Sequence, residues 1–427
     1  MSTSKADARP ERILSFEEAH QLVLTHAATL RTMQRTTEST GLLESLGRTL
    51  AEDIVADRDF PPFPRATRDG YAVRSQDVEG ASSELTVVAE VRAGGDLPDG
   101  FTRLGRGEAV SIMTGAPAPD GADAVIMVEY AQRQGNRVRL SRGAAAGENV
   151  VPRGSEAQAG TVLASKGTVV APAQVALAAA VGRASLTVST RPKVAILPTG
   201  DEVVAIEAQP AANQIRNSNS YSLAAQVIAA GGEPIQLPIA PDEPKALLKL
   251  IERGLQSDLL LMSGGVSAGE YDLVEDILSG LSAEFLFTGV QIQPGKPLVF
   301  GRARPPHAAP ERFTYFFGLP GNPISTMVTF ELFAHSVVRA LSGACVERMR
   351  SAKARLSKPL KVKPGLTRFF PARLSGDWSD AQVEQVQWQG SGDIAAFARA
   401  DCLLVVPPDR EQFDAGEMMT IVHFAIL

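Results

Sequence analysis

KVAILPTGDE (193–202), LLLMSGGVSAGEYD (259–272) and YFFGLPGNP (315–323) decide how this 427-residue chain folds. Each is an apolar run followed at once by small residues, a sharp turn and the start of a helical pattern. In an open α/β sheet such strand ends lie along one edge, where backbone N–H groups and helix dipoles can hold an anion. Glu202, Asp272 and the lysine of PGKP, Lys296, lie close by in sequence. An anionic ligand with a cation or metal partner is the first expectation.

Outward from these strings, 190–342 alternates strand and helix as a doubly wound domain does. NSYSLAAQVIAAGG, EPKALLKLIERGL, EYDLVEDILSG and ISTMVTFELFAHSVVRALSG are its helices, the last opening at Asn322 or Pro323. Residues 12–50 read as helical. SFEEAHQLVLTHAATL carries Ser15 with Glu18 three positions on, a capping-box pattern, and apolar residues then recur at helical spacing. From about 85 to 170 short apolar or alternating runs are separated by Gly, Asp and Pro, a compact β module. PAQVALAAAVG follows as a short helix with a proline near its start and a glycine after it. The helical segments on either side of the β module are expected to pack together, which makes the module an insertion. From 350 onward the text is strand-like again and suggests a small barrel or sandwich. The expected fold is therefore multi-domain α/β. It has an elongated helical linking domain (12–55 and 155–189), an inserted β-rich domain (56–154), a doubly wound α/β domain (190–342) and a C-terminal β-barrel (343–427).

A net charge of −6 with no dense Lys/Arg block argues against a nucleic-acid partner. No run reaches the ~18–20 apolar residues of a membrane span, and MSTSKADARPERILS lacks the apolar core of a secretory signal. Cys345 and Cys402 are far apart and form no C-x-x-C pair. A cytoplasmic protein is expected. The histidines form no zinc motif, and no serine stands in G-x-S-x-G.

LPTGDE puts Thr199 and Gly200 at a strand end, with Asp201 and Glu202 next. In SGGVSAGEYD, Gly264 and Gly265 permit close backbone approach, Ser263 and Ser267 can donate hydrogen bonds, and Glu270 and Asp272 add carboxylates. Carboxylates beside hydroxyls suit Mg²⁺ held against a phosphate or oxyanion. The plainer alternatives are an ordinary βα turn, and acids favoured in the first turn of a helix. PGKP holds Lys296 between prolines, and GLPGNP makes a rigid turn before the last long helix, whose first N–H groups are left for a ligand or for solvent. In the β module, Asp69 of PRATRDGYAV (64–73) and Thr114 of IMTGAPAPDGADAVIM (112–127) stand in loops. They are either plain surface residues or the far wall of a cleft supplied by a second subunit.

In this order DGYAV, IMTGAPAPDGADAVIM, PTGDE, IRNSNS (215–220), SGGVSAGEYD, QPGKP and GLPGNP resemble the molybdopterin molybdenumtransferase (MoeA) family, which the C-terminal domain of gephyrin also represents. The likeness runs from about residue 12 to the end. It is specific across 60–330 and loose in the last 75 residues, where TRFFPARL and GSGDIAAFARAD are similar to the family's fourth domain. It implies ligation of molybdate into adenylylated molybdopterin with Mg²⁺, releasing AMP and the molybdenum cofactor. It also implies an elongated homodimer of L-shaped, four-domain subunits, with the cleft between the α/β domain of one and the β module of the other. Its partners would be the molybdopterin adenylyltransferase and the acceptor molybdoenzymes or their chaperones.

Carried over by position, the resemblance makes Asp69, Thr114, Glu202, Asp242, Asp272 and Lys296 catalytic, with Glu202 and Asp272 as metal ligands. Thr199, Gly200, Asp201, Asn217, Asn219, Ser263, Gly264, Gly265, Ser267, Pro320, Gly321, Asn322, Pro323, Arg368 and Ser391 would bind the pterin substrate. Four departures stand out. The family often has lysine where Gln293 stands, a basic residue at Gly289, methionine at Arg68, and an acid pair at Ser155–Glu156. Fewer positive charges would weaken binding of the pterin phosphate, with Arg65 and Arg68 as replacements. Two other functions fit parts of the pattern. One is adenylylation of molybdopterin by ATP, because the related adenylyltransferase domain resembles 190–342. The other is a non-catalytic scaffold of the gephyrin type. The flanking β modules favour the insertion enzyme, and tungstate is not separable from molybdate by sequence.

Overall fold

The three strand ends belong to one six-stranded sheet. Across it run Glu233–Gln236, Lys193–Pro198, Leu259–Ser263, Thr314–Leu319, Val299–Ala303 and Glu284–Phe287. The first four are parallel, and each of the last two pairs antiparallel with the strand before it. Pro198 stands opposite Ser263, and Ser263 opposite Leu319, so the three glycine turns emerge side by side. The central strands are buried on both faces, which is why they read as unbroken apolar runs. The computed structural model describes residues 12–33, 35–80, 82–264, 273–345, 349–377 and 379–424.

Alternate side chains of each strand enter two separate cores. Leu197, Leu260 and Met262 meet Leu247 and Ile251 of helix Pro244–Gly254 and Leu278 of helix Leu273–Gly280. Val194, Ile196, Leu261 and Phe317 meet Leu223 and Val227 of helix Asn219–Ala229 and the long helix that begins at Pro323. That long helix runs to Leu341 through a π turn at Phe330–Ala334. It is apolar and long enough to cross a membrane, contrary to the sequence reading, yet 72% of its most apolar 18-residue stretch is buried inside the protein. Core packing accounts for its composition.

The Ser15–Glu18 box forms as expected. The Ser15 hydroxyl accepts the Glu18 N–H (3.2 Å), and Glu18 accepts the Ser15 N–H (2.9 Å), opening helix Phe16–Arg31. Its buried stripe, Ala19, Val23, Ala27 and Leu30, enters the same core as Val337, Val338 and Leu341 of the long helix. Ile13–Leu14 pairs in parallel with Gly289–Val290. The helix therefore packs on the α/β sheet and not on helix Pro172–Ala180 as expected. The helical reading of 12–50 also fails after Arg31. Thr37–Gly41 is a strand paired with Ser185–Ser189, and Ile54–Val55 pairs with Val162–Ala164. TTEST has no apolar helical stripe and is rich in a β-branched residue, so pairing decides its state. A small core of Leu50, Ile54, Val170, Ala178, Leu186 and Val188 holds this linking region together.

The β module is a six-stranded sheet in the order Ala124–Met127, Gly70–Val73, Glu108–Ile112, Ser83–Val91, Arg137–Leu140, Ala131–Gln134, with a buried cluster on each face. At the C-terminus Thr367–Gly376, Ala381–Gln385, Ser351–Leu356, Met418–His423 and Cys402–Val406 close into a five-stranded barrel, the last strand returning to the first. Ile292–Gln293 adds to the barrel in parallel with Thr367–Arg368, tying it to the α/β domain beside the glycine turns.

Candidate active site

An open cleft of about 430 Å³ lies over the three strand ends. Pro198, Thr199 and Glu202 come to it from the first, Ser263 and Gly264 from the second, and Pro320, Gly321, Asn322 and Pro323 from the third. Asn217 and Asn219 enter from the start of helix Asn219–Ala229, and Pro297 from the PGKP turn.

The turns are bound to each other through the backbone and through one amide. The Thr199 N–H donates to the Ser263 carbonyl (3.0 Å) and the Gly264 N–H to that of Leu319 (3.2 Å). The side-chain amide of Asn219 donates to the Ser263 hydroxyl and to the Gly321 carbonyl, both at 2.8 Å. Asn217 accepts the Ser220 N–H at 3.1 Å, which fixes the entry to that helix. Gly264 has φ +94°, and a Cβ there would stand 2.7 Å from the Thr199 carbonyl, so close approach of the first two turns requires glycine.

Asp201, Glu202 and Asp242 stand close enough for their charges to act on one another, and of the three Glu202 lines the cleft. Asp201 accepts the Asp242 N–H at 3.1 Å. Burial raises the Asp242 carboxyl above its ordinary range, and the charges of Asp201 and Glu202 push the same way. Among the described residues no group of three or more His, Cys, Asp or Glu is arranged to hold a metal ion. Asp272, Gly265 and Ser267 lie outside the described residues.

Lys296 is exposed, and of the PGKP turn it is Pro297 that borders the cleft. Arg368, 6% exposed, donates to the Gln293 side-chain oxygen (2.9 Å) and to the Leu366 carbonyl (3.2 Å), and burial lowers its pKa. Ser391 acts through its backbone. Its carbonyl accepts the Ile324 N–H at 2.9 Å, in the first turn of the long helix, whose Asn322 N-cap makes no side-chain bond. Asp69 and Thr114 are bonded to each other, the Asp69 carboxylate accepting the Thr114 N–H and hydroxyl, and neither borders the cleft. Sequence reasoning missed Arg216, an exposed cation in the cleft wall; its signal was IRNSNS, of which only the asparagines were used.

The departures now have physical settings. Gly289 is buried, and a side chain there would meet Ile13 at 3.1 Å, because the N-terminal strand lies over it. At 293, where a lysine was expected, the glutamine faces Arg368, so a guanidinium stands where an ammonium was missing. Arg65 is paired with Glu156 at 3.0 Å.

An α/β domain with a cleft at glycine turns, carrying an inserted β module and a terminal barrel, defines a class of multi-domain α/β proteins with a ligand cleft at a shared strand edge, and comparison narrows it. Residues 14–182 match the MoeA N-terminal region (domain I and II), 195–340 the probable molybdopterin binding domain, and 353–424 the MoeA C-terminal region (domain IV). The molybdopterin molybdenumtransferase of Bacillus subtilis is 34% identical over 398 residues, covering 91% of this chain and 90% of its own. That of a Nostoc species is 39% identical over 314 residues, 73% of this chain and 70% of its own. A crystal structure of the molybdopterin biosynthesis MoeA protein of Pyrococcus horikoshii superposes with a TM-score of 0.69 at 32% identity, covering 97% of this chain and 99% of that one. The chain belongs to the molybdopterin molybdenumtransferase (MoeA) family, enzymes of molybdenum cofactor biosynthesis.

Proposed function

We propose that this enzyme inserts molybdate into adenylylated molybdopterin, releasing AMP, in a Mg²⁺-dependent reaction. One observation carries the reading beyond family membership. The Thr199 hydroxyl and the Asn219 side-chain oxygen are buried, have no hydrogen-bond partner among the described residues, and belong to residues lining the cleft. Asn219 cannot turn its amide round, because its nitrogen faces the Gly321 carbonyl, an acceptor only. An unpaired buried polar group costs ~1–3 kcal/mol, and a ligand bearing N–H donors, as a pterin does, would recover it.

The residues then divide the work. Those backbone N–H groups of the turns that are not already spent on neighbouring carbonyls would favour phosphate oxygens. Asn219 orients the heterocycle, and Arg216 adds positive charge at the wall. Asp201, Glu202 and Asp242 stand near one another without forming a ligand set for a metal among the described residues, so a Mg²⁺ ion would rest on few protein ligands. Mg²⁺ takes one or two carboxylates and completes its shell with water and phosphate oxygens, so Glu202, exposed in the cleft, suffices as a first ligand. When bound, the ion would neutralise charge on the phosphoanhydride as it is cleaved.

The Asp69–Thr114 pair lies off its own chain's cleft, which supports a homodimer in which the β module of one subunit reaches the cleft of the other. The apolar stripe of helix Phe16–Arg31 is buried within the chain and cannot serve as the contact. Leu43 (79% exposed) and Leu46 (54%) in the linking region remain for it. We take the location to be cytoplasmic, a setting in which two free cysteines persist. We take the adenylyltransferase and acceptor molybdoenzymes or their chaperones as partners on either side of the reaction.

The test is incubation of the purified chain with adenylylated molybdopterin, molybdate and Mg²⁺. AMP release that depends on molybdate is the expected result. Formation of adenylylated product from molybdopterin and ATP would replace this reading with the adenylyltransferase, and absence of both activities would favour a scaffold.

A further inference from the structure

A second groove, of about 620 Å³, lies in the β module. It stands at the other end of strand Gly70–Val73 from Asp69, since Asp69 precedes that strand and Arg74, which lines the groove, follows it. At the usual strand rise the two residues are about 16 Å apart. The groove is thus separate from the Asp69–Thr114 pair and from the α/β cleft.

Three backbone segments form it: Arg74 with Gln76, Arg103–Gly105, and Gly121–Asp123. Each is anchored. Arg74 follows the buried Val73, and Arg103 precedes Leu104, which is 2% exposed and whose N–H donates to the Asp120 carbonyl at 2.8 Å. Gly121, with φ +91°, lets its turn close on that segment, because a Cβ there would lie 2.7 Å from the Leu104 carbonyl and 2.9 Å from the Arg103 stem.

The guanidinium donors at the groove are not used up by their neighbours. Its one carboxylate, Asp123, is committed to the Ser75 N–H (2.6 Å) and hydroxyl (2.7 Å). Arg74 has only a 3.8 Å contact with Asp77, longer than the ~2.7–2.9 Å of a charge-assisted hydrogen bond, and Asp77 is held by the Gly107 N–H at 2.9 Å. Arg103 is exposed and has no ion-pair partner among the described residues. Two guanidiniums with spare donors therefore face one groove in a chain of net charge −6.

We propose that this groove binds a small tetrahedral oxyanion, either free phosphate or the phosphate of an ester, between Arg74 and Arg103 with the Gln76 amide beside it. The planar fork of a guanidinium matches two oxygens of such a group. The inference does not depend on the molybdate reaction.

Titration calorimetry of the full chain with inorganic phosphate, and separately with adenosine monophosphate, reads affinity, and hydrogen exchange reads location. Phosphate is expected to protect 103–106 and 119–123. Arg103→Gln should weaken Kd about tenfold, the loss of one charge-assisted contact. Arg92→Gln, whose arginine pairs with Glu90 at 3.3 Å outside the groove, should bind as the parent does. Tighter binding of the nucleotide, with the same protection of 103–106 and 119–123, supports an ester as the ligand, and equal binding there supports the free oxyanion. Arg74→Gln is read with its melting temperature, since Arg74 also contacts Asp77. No binding at millimolar phosphate, protection confined to 199–203 and 320–324, or an unchanged Kd in Arg103→Gln overturns the proposal.

Discussion

The carboxylate of Asp69 accepts two hydrogen bonds from Thr114, one from the backbone N–H at 2.6 Å and one from the hydroxyl at 2.9 Å. Forty-five residues of chain separate them, and the sheet brings them together by setting Gly70 opposite Ile112. Both bonds favour the charged carboxylate, so its pKa lies below the ordinary range, the backbone bond being the larger cause.

Thr114→Val removes the hydroxyl and keeps the N–H. The Asp69 carboxyl should then titrate higher than in the parent but still below an unperturbed aspartate, as followed by carboxyl NMR. The sign follows from linkage. A depressed pKa contributes stability that is complete above the ordinary carboxylate range and is lost as pH falls through the lowered value. Activity between pH 6 and 8 should therefore show no step from Asp69.

A cleft shared between subunits predicts complementation. Asp69→Ala and Glu202→Ala should each fold and lose activity by about a hundredfold or more, the usual scale for a preorganised catalytic group. Unfolding the two together and refolding them at equal amounts should restore about a quarter of the parent rate, because half of the random dimers then hold one intact cleft of two. A mixture no more active than either variant would show that Asp69 and Glu202 do not meet across subunits.

Gly264→Ala should destabilise the α/β domain by roughly 1–3 kcal/mol, from a strained backbone conformation and from the clash with the Thr199 carbonyl. Thermal unfolding reads the loss. Because the displaced turn forms the cleft floor, substrate affinity should fall as well, and Gly365→Ala, at φ +100° in the barrel with open space around it, should cost stability alone.

His335, in the long helix, has its pKa pushed down to about 4 by burial, with Arg339 and Arg350 adding to the effect. The unfolded chain binds this proton below its ordinary pKa of ~6.5, and the folded chain does not until about pH 4. Stability should therefore be full above pH 6.5 and decline toward pH 4, by on the order of 2–3 kcal/mol from this group. Urea unfolding of His335→Gln should show a flatter dependence across that window than the parent.

The three turns that floor the cleft were legible in the sequence because their signals are local. An unbroken apolar run marks a doubly covered strand, and adjacent small residues mark the turn after it. The Ser15–Glu18 box was legible for the same reason, since both partners lie within one helical turn. Arg216 stood in the quoted motif IRNSNS beside the asparagines that were used, and was passed over because an exposed cation carries no local mark of its own.

What the sequence by itself determined was therefore the strands of the α/β domain and the capped start of the first helix, and that the strands ending at Pro198, Ser263 and Leu319 share an edge. Tertiary structure decided which faces meet. The stripe Ala19–Val23–Ala27–Leu30 announces a buried face without naming its partner, and it lies on the α/β core rather than on Pro172–Ala180. The same holds for Arg368 on Gln293 and for the Ser391 carbonyl on the Ile324 N–H, contacts between residues far apart in the chain. Helical period and turn chemistry are properties of a few adjacent residues. The choice of partner depends on which apolar faces and backbone groups are still uncovered once all the other segments have packed.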